Sequence, residues 1–323
     1  MPLPSDHAIS MPRKPAVIDD LGQSLTFDEL DAAAWRLAHL IRKNDILPGD
    51  HIAICLENRL EYFWTLFGAH YAGVYYTAIS PWLHANEIAY IVNNCGARLV
   101  IASGKTVEKL SEARANSPRV KRWLKLDGVS TGYDDLVEGM SDLPTSPLAD
   151  PQEGRDMLYS SGTTGMPKGV KLALPETNFG EESDTARGMF DTFGLDQSSI
   201  YLNPAPLYHA APLRWSMSVV RRGGTVVTMS KFDAERALQL ISNHCVTCGQ
   251  FVPTMMIRML KLPENVKGGA DLSSLQKVVH AAAPCPVETK RRMIEWWGPN
   301  VHEYYGGTEG TGLTYKTAQA ALR

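Results

Sequence analysis

The chain has 323 residues, of which 44% are hydrophobic, and a formal net charge of −3 at pH 7. This length and composition predict a globular protein and argue against disorder. Acidic and basic residues are mixed along the chain without a basic stripe, which argues against nucleic acid as a partner. No signal-like N-terminus and no run of about 18 apolar residues occurs, so we expect neither a signal peptide nor a transmembrane segment. The five cysteines fit a reducing cytoplasm better than a disulfide scaffold, so we expect a cytoplasmic protein. Peripheral membrane contact and homo-oligomer formation are left open.

Short apolar stretches alternate with longer helical patterns through the first half of the chain. Glu29 follows Thr26 at the spacing of a capping box, which predicts a helix that starts there. The segment 61–73 is apolar on most sides and predicts a buried helix, and a further helix is predicted over 86–94. Strands are predicted at 16–18, 51–56 and 99–101. This alternation is typical of a parallel sheet that is covered by helices on both faces.

A second series of the same kind follows the proline-rich segment 141–151. We therefore predict two α/β subdomains, 1–150 and 151–323, the second of them incomplete. The predicted strands of the second series are 225–229, 246–252 and 277–281, and the predicted helices are 234–243, 254–262 and 287–297.

Cys245 and Cys248 form a C-x-x-C pair beside His244. Such a pair can act in redox chemistry or supply half of a zinc site. A closed zinc site needs four ligands, and no second C-x-x-C follows. We therefore interpret the two cysteines as small apolar side chains of a buried strand.

The segment Met157–Val170 contains the most informative pattern of the chain. A strand runs into a loop with Gly162, Gly165 and Gly169, four hydroxyl side chains and Lys168. Glycines let backbone N–H groups approach an anion closely, and the hydroxyls and lysine add donors, so this composition predicts a triphosphate cradle. A polar surface turn would not explain the combination. The pattern is not a Walker A loop, because Gly165 lies two residues too far from Lys168 and Gly169 occupies the hydroxyl position that binds Mg²⁺.

This segment resembles the phosphate-binding signature of the adenylate-forming superfamily, which includes acyl-CoA synthetases, firefly luciferase and the adenylation domains of peptide synthetases. Glu303–Gly310 is similar to the Tyr-Gly-x-Thr-Glu motif of that family. Weaker similarity begins near Lys14, so the resemblance covers nearly the whole chain. It implies two stacked, doubly wound, mostly parallel sheets with helices, as in the large N-terminal domain of acyl-CoA synthetases.

The resemblance also implies an acid–thiol ligase. A substrate carboxylate would attack the α-phosphorus of ATP, pyrophosphate would leave, and the acyl group would pass to CoA. The implied partners are thus a small-molecule carboxylic acid, ATP and CoA, with Mg²⁺ as the cation. Since a carboxylate is already a nucleophile, the protein mainly positions groups and neutralises charge.

Residue roles follow from the matched motifs. The implied catalytic residues are Lys168, His209, Thr308 and Glu309, with Thr308 at the α-phosphate. Glu309 and Thr164 are the implied Mg²⁺ ligands, since a hard cation that bridges phosphates prefers oxygen. The implied nucleotide contacts are Ser160, Ser161, Gly162, Thr163, Thr164, Gly165, Lys168, Ala282, Ala283, Pro284, Tyr305, Gly306 and Thr308.

Three of these roles have structural alternatives. Tyr305 would stack on adenine, and the alternative is a core tyrosine. Glu309 could be a solvated acid after a turn. His209 matches an aromatic position that the family places between the nucleotide and carboxylate sites, whereas a lone histidine is usually structural.

The residues around His209 also bear on the substrate. Amino-acid-activating relatives place an aspartate in this region, but Asn203–Arg214 contains no acid. A buried α-ammonium group would then lack a partner, which is costly. We therefore expect a fatty or other non-amino carboxylic acid.

Two features depart from the family pattern. The family places a glycine where this chain has His280 before Ala281–Pro284, which predicts a slightly altered adenine pocket. The sequence also ends at Arg323. We expect it to lack the ribose-binding aspartate and the C-terminal lid domain with its catalytic lysine, and to turn over weakly or not at all. Two alternatives stay open: an acyl-AMP ligase that loads a carrier protein, and a non-catalytic nucleotide- or acyl-binding module.

Overall fold

The computed structural model describes residues 3–160, 166–181, 188, 191–310 and 312–321. The chain divides into two compact units. The first comprises residues 1–14, 26–183 and 207–210, and the second comprises residues 15–25, 184–206 and 211–323. Each unit is built on one mostly parallel sheet with helices, which confirms the predicted α/β fold class.

The elements of the described residues are numbered in chain order. The strands are β1 (Pro15–Asp19), β2 (Ser24–Thr26), β3 (His51–Cys55), β4 (Tyr75–Ala78), β5 (Ala97–Ala102), β6 (Arg122–Lys125), β7 (Asp134–Asp135), β8 (Arg155–Ser160), β9 (Lys168–Lys171), β10 (Ile200–Asn203), β11 (Thr225–Thr228), β12 (Cys248–Phe251), β13 (Lys277–His280), β14 (Val301–Gly306) and β15 (Leu313–Lys316). The helices are α1 (Pro4–Ser10), α2 (Phe27–Lys43), α3 (Leu60–Tyr71), α4 (Ala85–Cys95), α5 (Val107–Ala115), α6 (Leu136–Met140), α7 (Ala210–Arg221), α8 (Ala234–His244), α9 (Pro253–Leu260), α10 (Glu264–Gly268), α11 (Val287–Trp297) and α12 (Ala318–Ala321).

The sheet of the first unit has the strand order β7-β6-β5-β3-β4-β8-β9. Its neighbouring strands pair in parallel, except that β9 runs antiparallel to β8. The central strands are buried on both faces. Ile52 and Ile54 on one face and Ala53 and Cys55 on the other are all fully buried. Burial of both faces is what parallel strands with helical crossovers require.

The sheet of the second unit has the order β15-β14-β13-β12-β10-β11-β1-β2. In that order, neighbouring strands from β14 across to β1 pair in parallel, and β15 runs antiparallel to β14. An apolar core fills the layer between this sheet and helices α8, α9 and α11. Both sheets thus end in an antiparallel pair at one edge.

The observed grouping of residues differs from the predicted division at residue 150. Strand β8 lies beyond that position but pairs with β4 of the first sheet through Tyr75↔Arg155 and Tyr76↔Asp156. Strand β1 lies far before it but pairs with β11 of the second sheet. Because strand pairing assigns a segment to its unit, residues 151–183 group with the first unit and residues 15–25 with the second.

Local signals in the sequence set the ends of α2. The Thr26 hydroxyl accepts the backbone N–H of Glu29 (3.3 Å), and the Glu29 carboxylate accepts the backbone N–H of Thr26 (2.9 Å). These reciprocal bonds satisfy two amide donors that the first turn of a helix leaves open. The predicted capping box is therefore confirmed.

Strand β12 is shorter than the predicted strand 246–252. Cys245 adopts a left-handed backbone conformation (φ 49°) and ends α8, and Val252 is the residue before α9. Cys248 is buried as predicted, and burial raises the pKa of its thiol to about 12. Cys245 is exposed, so its interpretation as a strand side chain was wrong.

Within the described parts of the chain, no helix combines the length and the apolar character that a bilayer crossing requires.

Candidate functional site

The glycine-rich segment joins the two antiparallel edge strands of the first sheet. Strand β8 ends at Ser160 and β9 begins at Lys168, and these two residues are register partners. The predicted residues Ser161, Gly162, Thr163, Thr164 and Gly165 lie outside the described residues. We call β8, β9 and the residues between them the first hairpin.

Lys168 is exposed at the start of β9. Among the described residues, its ammonium group forms no ion pair. Lys171, at the other end of the same strand, already contacts two side chains. Its ammonium lies 3.0 Å from His51 Nε2 and 4.4 Å from the centre of the Tyr75 ring. Lys168 is therefore the β9 lysine that is available to a ligand.

The outer part of the first hairpin is supported from one side. The Tyr159 hydroxyl donates to Asn94 Oδ1 of α4 (2.5 Å), and Met157 packs in the core of this unit. Gly169 lies opposite Tyr159 in the register. A Cβ atom at Gly169 would lie 2.9 Å from the Tyr159 ring, so glycine allows this close approach.

The second motif joins the two antiparallel edge strands of the second sheet. Tyr305 pairs with Thr314 and Gly306 with Leu313, and the turn between β14 and β15 carries Thr308 and Glu309. We call β14, β15 and this turn the second hairpin. Both sequence motifs therefore lie on an antiparallel hairpin at an edge of their sheet.

Tyr305 is 79% exposed, so the alternative interpretation as a core tyrosine was wrong. The core tyrosine of this strand is its neighbour Tyr304, which is 7% exposed and packs against Trp215 and Phe193. The Tyr304 hydroxyl accepts the side-chain N–H of Gln250 (2.7 Å), and burial raises the pKa of Tyr304 to about 12. Successive strand residues point to opposite faces, so burial of Tyr304 leaves Tyr305 with a free aromatic face.

Thr308 and Glu309 occupy the turn of the second hairpin. The backbone carbonyl of Thr308 accepts a hydrogen bond from the Arg214 guanidinium of α7 (3.1 Å), and this bond ties the turn to that helix. Glu309 is exposed and forms no ion pair with any residue that the structure describes. An exposed carboxylate without a cationic partner suits a divalent cation, which prefers oxygen ligands.

The predicted adenine-lining residues Ala282, Ala283 and Pro284 follow β13 and are exposed. Ala282 has a φ of 72°, a left-handed conformation that is costly for a residue other than glycine. Such strain is concentrated at ligand-binding sites. This carboxyl end of a parallel strand is also where open α/β sheets bind ligands.

His280, the last residue of β13, is 1% exposed. Neither ring nitrogen has a hydrogen-bond partner among the described residues. Burial lowers the pKa of the ring to about 4, and the nearby Lys290 charge acts in the same direction against that of Glu303. Lys290 and Glu303 form an ion pair of 2.7 Å. His280 is therefore neutral at pH 7 and stands beside a charged pair.

His209 lies just before α7 and belongs to the first unit. Its ring centre is 4.6 Å from that of Tyr208. The ring keeps an exposed surface, yet partial burial lowers its pKa below the ordinary value for histidine. At neutral pH it can therefore donate or accept a hydrogen bond without carrying a charge.

Two residues that contact the motif-bearing segments or their flanks were not predicted from the sequence. In the sequence, Arg214 is notable only as the end of a segment without acids. Its hydrogen bond to the Thr308 carbonyl joins residues that are distant in the sequence, so only the fold reveals it. Glu153 lies in an unremarkable segment before β8, although a buried carboxylate there accepts the backbone N–H of Gly180 (3.0 Å). The sequence around Glu153 carries no signal that predicts this contact.

Known proteins resemble this chain in sequence. Residues 5–322 match the profile of the AMP-binding enzyme family. A fatty acid–[acyl-carrier-protein] ligase, ScoC of Streptomyces coeruleorubidus, is 30% identical over 316 residues, which cover 96% of this chain and 58% of that protein. A 4-coumarate–CoA ligase 3 of Oryza sativa subsp. japonica is 30% identical over 280 residues, which cover 84% and 49%. The chain spans about half the length of the curated relatives it matches.

Solved structures resemble it in fold. The N-terminal domain of FACL13 from Mycobacterium tuberculosis has a TM-score of 0.83 at 24% identity, over 99% of this chain and 79% of that one. ATP-bound MatB from Rhodopseudomonas palustris has a TM-score of 0.79 at 22% identity, over 98% and 62%. At these identities the likeness concerns the fold alone.

Proposed function

Because this chain belongs to the AMP-binding enzyme family, we propose that it binds ATP and activates a carboxylic acid as an acyl-adenylate. The observation that carries the proposal is Lys168, an exposed lysine without an ion pair among the described residues, at the end of a glycine-rich segment. Its β-strand neighbour Lys171 is engaged, so the free cation is the one in the motif.

The first hairpin would bind the β- and γ-phosphates and the departing pyrophosphate. In the reaction, a carboxylate oxygen attacks the α-phosphorus and the bond to the bridging oxygen of pyrophosphate breaks. Negative charge accumulates on the leaving group, and Lys168 would neutralise it. Ser160, together with Ser161, Gly162, Thr163, Thr164 and Gly165, would add hydrogen-bond donors.

The turn of the second hairpin would bind the α-phosphate through Thr308 and Mg²⁺ through Glu309, with Thr164 as a further proposed ligand. The Arg214 bond to the Thr308 carbonyl supports this role, because it holds the turn in place before a ligand arrives. The exposed Glu309 carboxylate fits a hard cation. Bound Mg²⁺ would offset phosphate charge during displacement.

Tyr305, Gly306 and Ala282–Pro284 would bind adenine. Tyr305 offers an exposed ring, and base–aromatic stacking needs such a free face. Gly306 beside it leaves the base room to approach, because glycine lacks a side chain.

His209 would contact the reacting carboxylate. Its lowered pKa supports a neutral ring at pH 7, which can donate one hydrogen bond without pairing as a cation. A neutral donor would orient the carboxylate and leave it nucleophilic.

The proposed substrate is a fatty or other non-amino carboxylic acid. The absence of an acid from Asn203–Arg214 argues against an α-ammonium group. Similarity to a 4-coumarate–CoA ligase supports CoA as the acceptor. Similarity to a fatty acid–[acyl-carrier-protein] ligase supports a carrier protein as the second candidate, and supplying either acceptor to the acyl-adenylate separates the two.

The test is calorimetric titration of the 323-residue chain with MgATP, with pyrophosphate release measured after addition of a carboxylic acid. Lys168→Ala should weaken MgATP binding about 10- to 100-fold, because a charge-assisted contact is lost. Lys171→Ala is the matched control and should leave binding nearly unchanged.

Equal weakening by both substitutions would remove Lys168 from the site. Tight MgATP binding without acid-dependent pyrophosphate release would favour a non-catalytic nucleotide-binding module.

A further inference from the structure

A buried carboxylate stands at the base of the first hairpin. The Glu153 side chain is 3% exposed, and one oxygen lies 2.5 Å from His70 Nε2, whose own side chain is 10% exposed. The other oxygen accepts the backbone N–H of Gly180 at 3.0 Å. Removing a carboxylate from water is expensive, so its burial here calls for a reason.

Glu153 ties together three segments of the first unit. His70 belongs to the last turn of α3, Glu153 lies two residues before β8, and Gly180 follows β9. One carboxylate thus connects the chain that enters the first hairpin with the chain that leaves it. We call the contacts of Glu153 with His70 and Gly180 the latch.

The outgoing segment 172–181 is held along its length. The Tyr75 hydroxyl donates to the Leu172 carbonyl (2.8 Å), and the Arg155 guanidinium donates to the Ala173 carbonyl (2.8 Å). Further on, the Phe179 ring lies 5.7 Å from Tyr71. The latch contact at Gly180 lies farther along the chain than these contacts.

Among the described residues, the first hairpin is joined to its sheet by strand pairing near this base, and side-chain contacts support it farther out. Strand β8 pairs with β4 at Arg155 and Asp156, and Gln152 forms a bridge to Ala72. Residues 157–160 pair with β9. Ser160 stands seven residues beyond Glu153, or roughly 23 Å at the rise of a strand. A tilt of about 5° at the base would displace such a tip by roughly 2 Å, and about 1 Å of misplacement can already cost about 10²-fold in rate.

We propose that the latch fixes the first hairpin so that Ser160 and Lys168 are correctly placed for phosphate, which makes Glu153 a positioning residue. This inference rests on the proposed function. Tyr159 and Met157 hold the outer part of the hairpin from one side. Loss of the latch should therefore loosen the hairpin without unfolding it.

The first measurement does not depend on ATP. Hydrogen exchange of residues 166–181 is compared between the wild-type chain and Glu153→Ala, under conditions where the central strand β3 stays protected. We expect exchange in this segment to rise at least about tenfold while β3 is unchanged. Asp150→Asn is the matched control, because Asp150 is an exposed carboxylate nearby that pairs with Arg42, and it should leave exchange unchanged.

Glu153→Gln should restore most of the protection, because the amide oxygen can still accept the Gly180 N–H. If Glu153→Ala does not fold, His70→Gln tests the same latch from α3, with the same expected pattern. Exchange that rises uniformly through the first unit in either variant would mean a structural ion pair only, and would overturn the proposal.

The second measurement asks whether Glu153 acts through Lys168. Glu153→Ala should weaken MgATP binding about tenfold in the wild-type background and far less in the Lys168→Ala background. Equal weakening in both backgrounds would overturn the positioning role. If the wild-type chain binds no MgATP, the proposed function fails, while the exchange data still decide whether the latch holds the hairpin.

Discussion

The two edge hairpins solve the same problem with different interactions. Each is the antiparallel end of a mostly parallel sheet, and each carries one of the two sequence motifs. The first is held at its base by the buried Glu153 carboxylate and by tight backbone packing around Gly154. The second is held by aromatic packing, by hydrogen bonds of Tyr304 and Tyr315, and by the partly exposed Lys290–Glu303 ion pair.

The difference teaches that two hairpins with a proposed binding role can each have a well-packed base that is built from different interactions. A buried polar latch and a close backbone contact leave little tolerance, because a lost partner or an added atom has no room to relax. An aromatic cluster distributes its energy over many contacts. We therefore expect single substitutions to damage the first hairpin more than the second.

The largest effect should come from Gly154→Ala. A Cβ atom there would lie 2.4 Å from the Val74 carbonyl and 2.8 Å from that of Ala69, and both obstacles are backbone. We expect a loss of about 3 kcal/mol or more in urea denaturation, at or beyond the usual cost of overpacking. Gly139→Ala is the control, since its nearest atom is 3.9 Å away and the residue is exposed. Similar stability of the two variants would contradict the tight backbone packing around Gly154.

Tyr304→Phe tests the second hairpin in the same way. It leaves the buried Gln250 amide without its acceptor, which should cost about 1–3 kcal/mol in urea denaturation. Tyr315→Phe loses a bond to His302 Nδ1 (2.7 Å) that is only half-buried, so water can replace it and the loss should be smaller. If Tyr304→Phe cost as much as Gly154→Ala, the proposed contrast between the hairpins would be lost.

Acid should weaken both hairpins through a histidine beside each. Burial lowers the pKa of His51 near β9 and of His280 near β14 to about 4, against about 6.5 in the unfolded chain. Between these values the unfolded state binds more protons, so stability is present at neutral pH and is lost as pH falls toward 4.

For the fully buried His280, the loss between pH 7 and pH 5 should be on the order of 1–2 kcal/mol. His280→Leu should remove that loss and leave stability at pH 7 equal or higher, because two unpaired ring nitrogens disappear. Urea denaturation at the two pH values measures it. An unchanged pH dependence in the variant would show that other groups cause the acid weakening.

Tyr305→Ala should change stability least, by less than about 0.5 kcal/mol, because the ring is 79% exposed. Its effect should fall on MgATP affinity, which we expect to drop about tenfold through lost stacking. Urea denaturation and calorimetry on the same samples separate the two. A large loss of stability would mean that the Tyr305 ring contributes to the aromatic packing around Tyr304.

Much of the fold was predictable, because its signals are local. The capping box at Thr26 and the helix 287–297 follow from residues a few positions apart, and both are confirmed. Strand pairing is not local. Val17 pairs with Val226 in the second sheet, and no pattern within either strand names its partner. The unit boundaries therefore could not be read from the proline-rich segment.

The candidate site also has a part that local sequence patterns predict and a part that they do not. The two motifs were visible as runs of unusual composition, and their roles remain proposals. The residues that hold them were hidden, because Glu153 and Arg214 act through backbone atoms of distant segments, Gly180 and Thr308. A backbone partner leaves no mark on the sequence that could reveal the pairing.

The exposed edge of the first sheet has a consequence for behaviour in concentrated solution. Strand β9 presents unpaired backbone groups, and such an edge invites strands of other molecules to add to it and aggregate. Its sequence, Lys168-Gly-Val-Lys171, places a positive charge at each end and a glycine inside, a composition that discourages this addition. The opposite edge is β7, which is only two residues long and consists of two aspartates. We therefore expect Lys168 to oppose such strand addition, and a variant without it should be purified at low concentration.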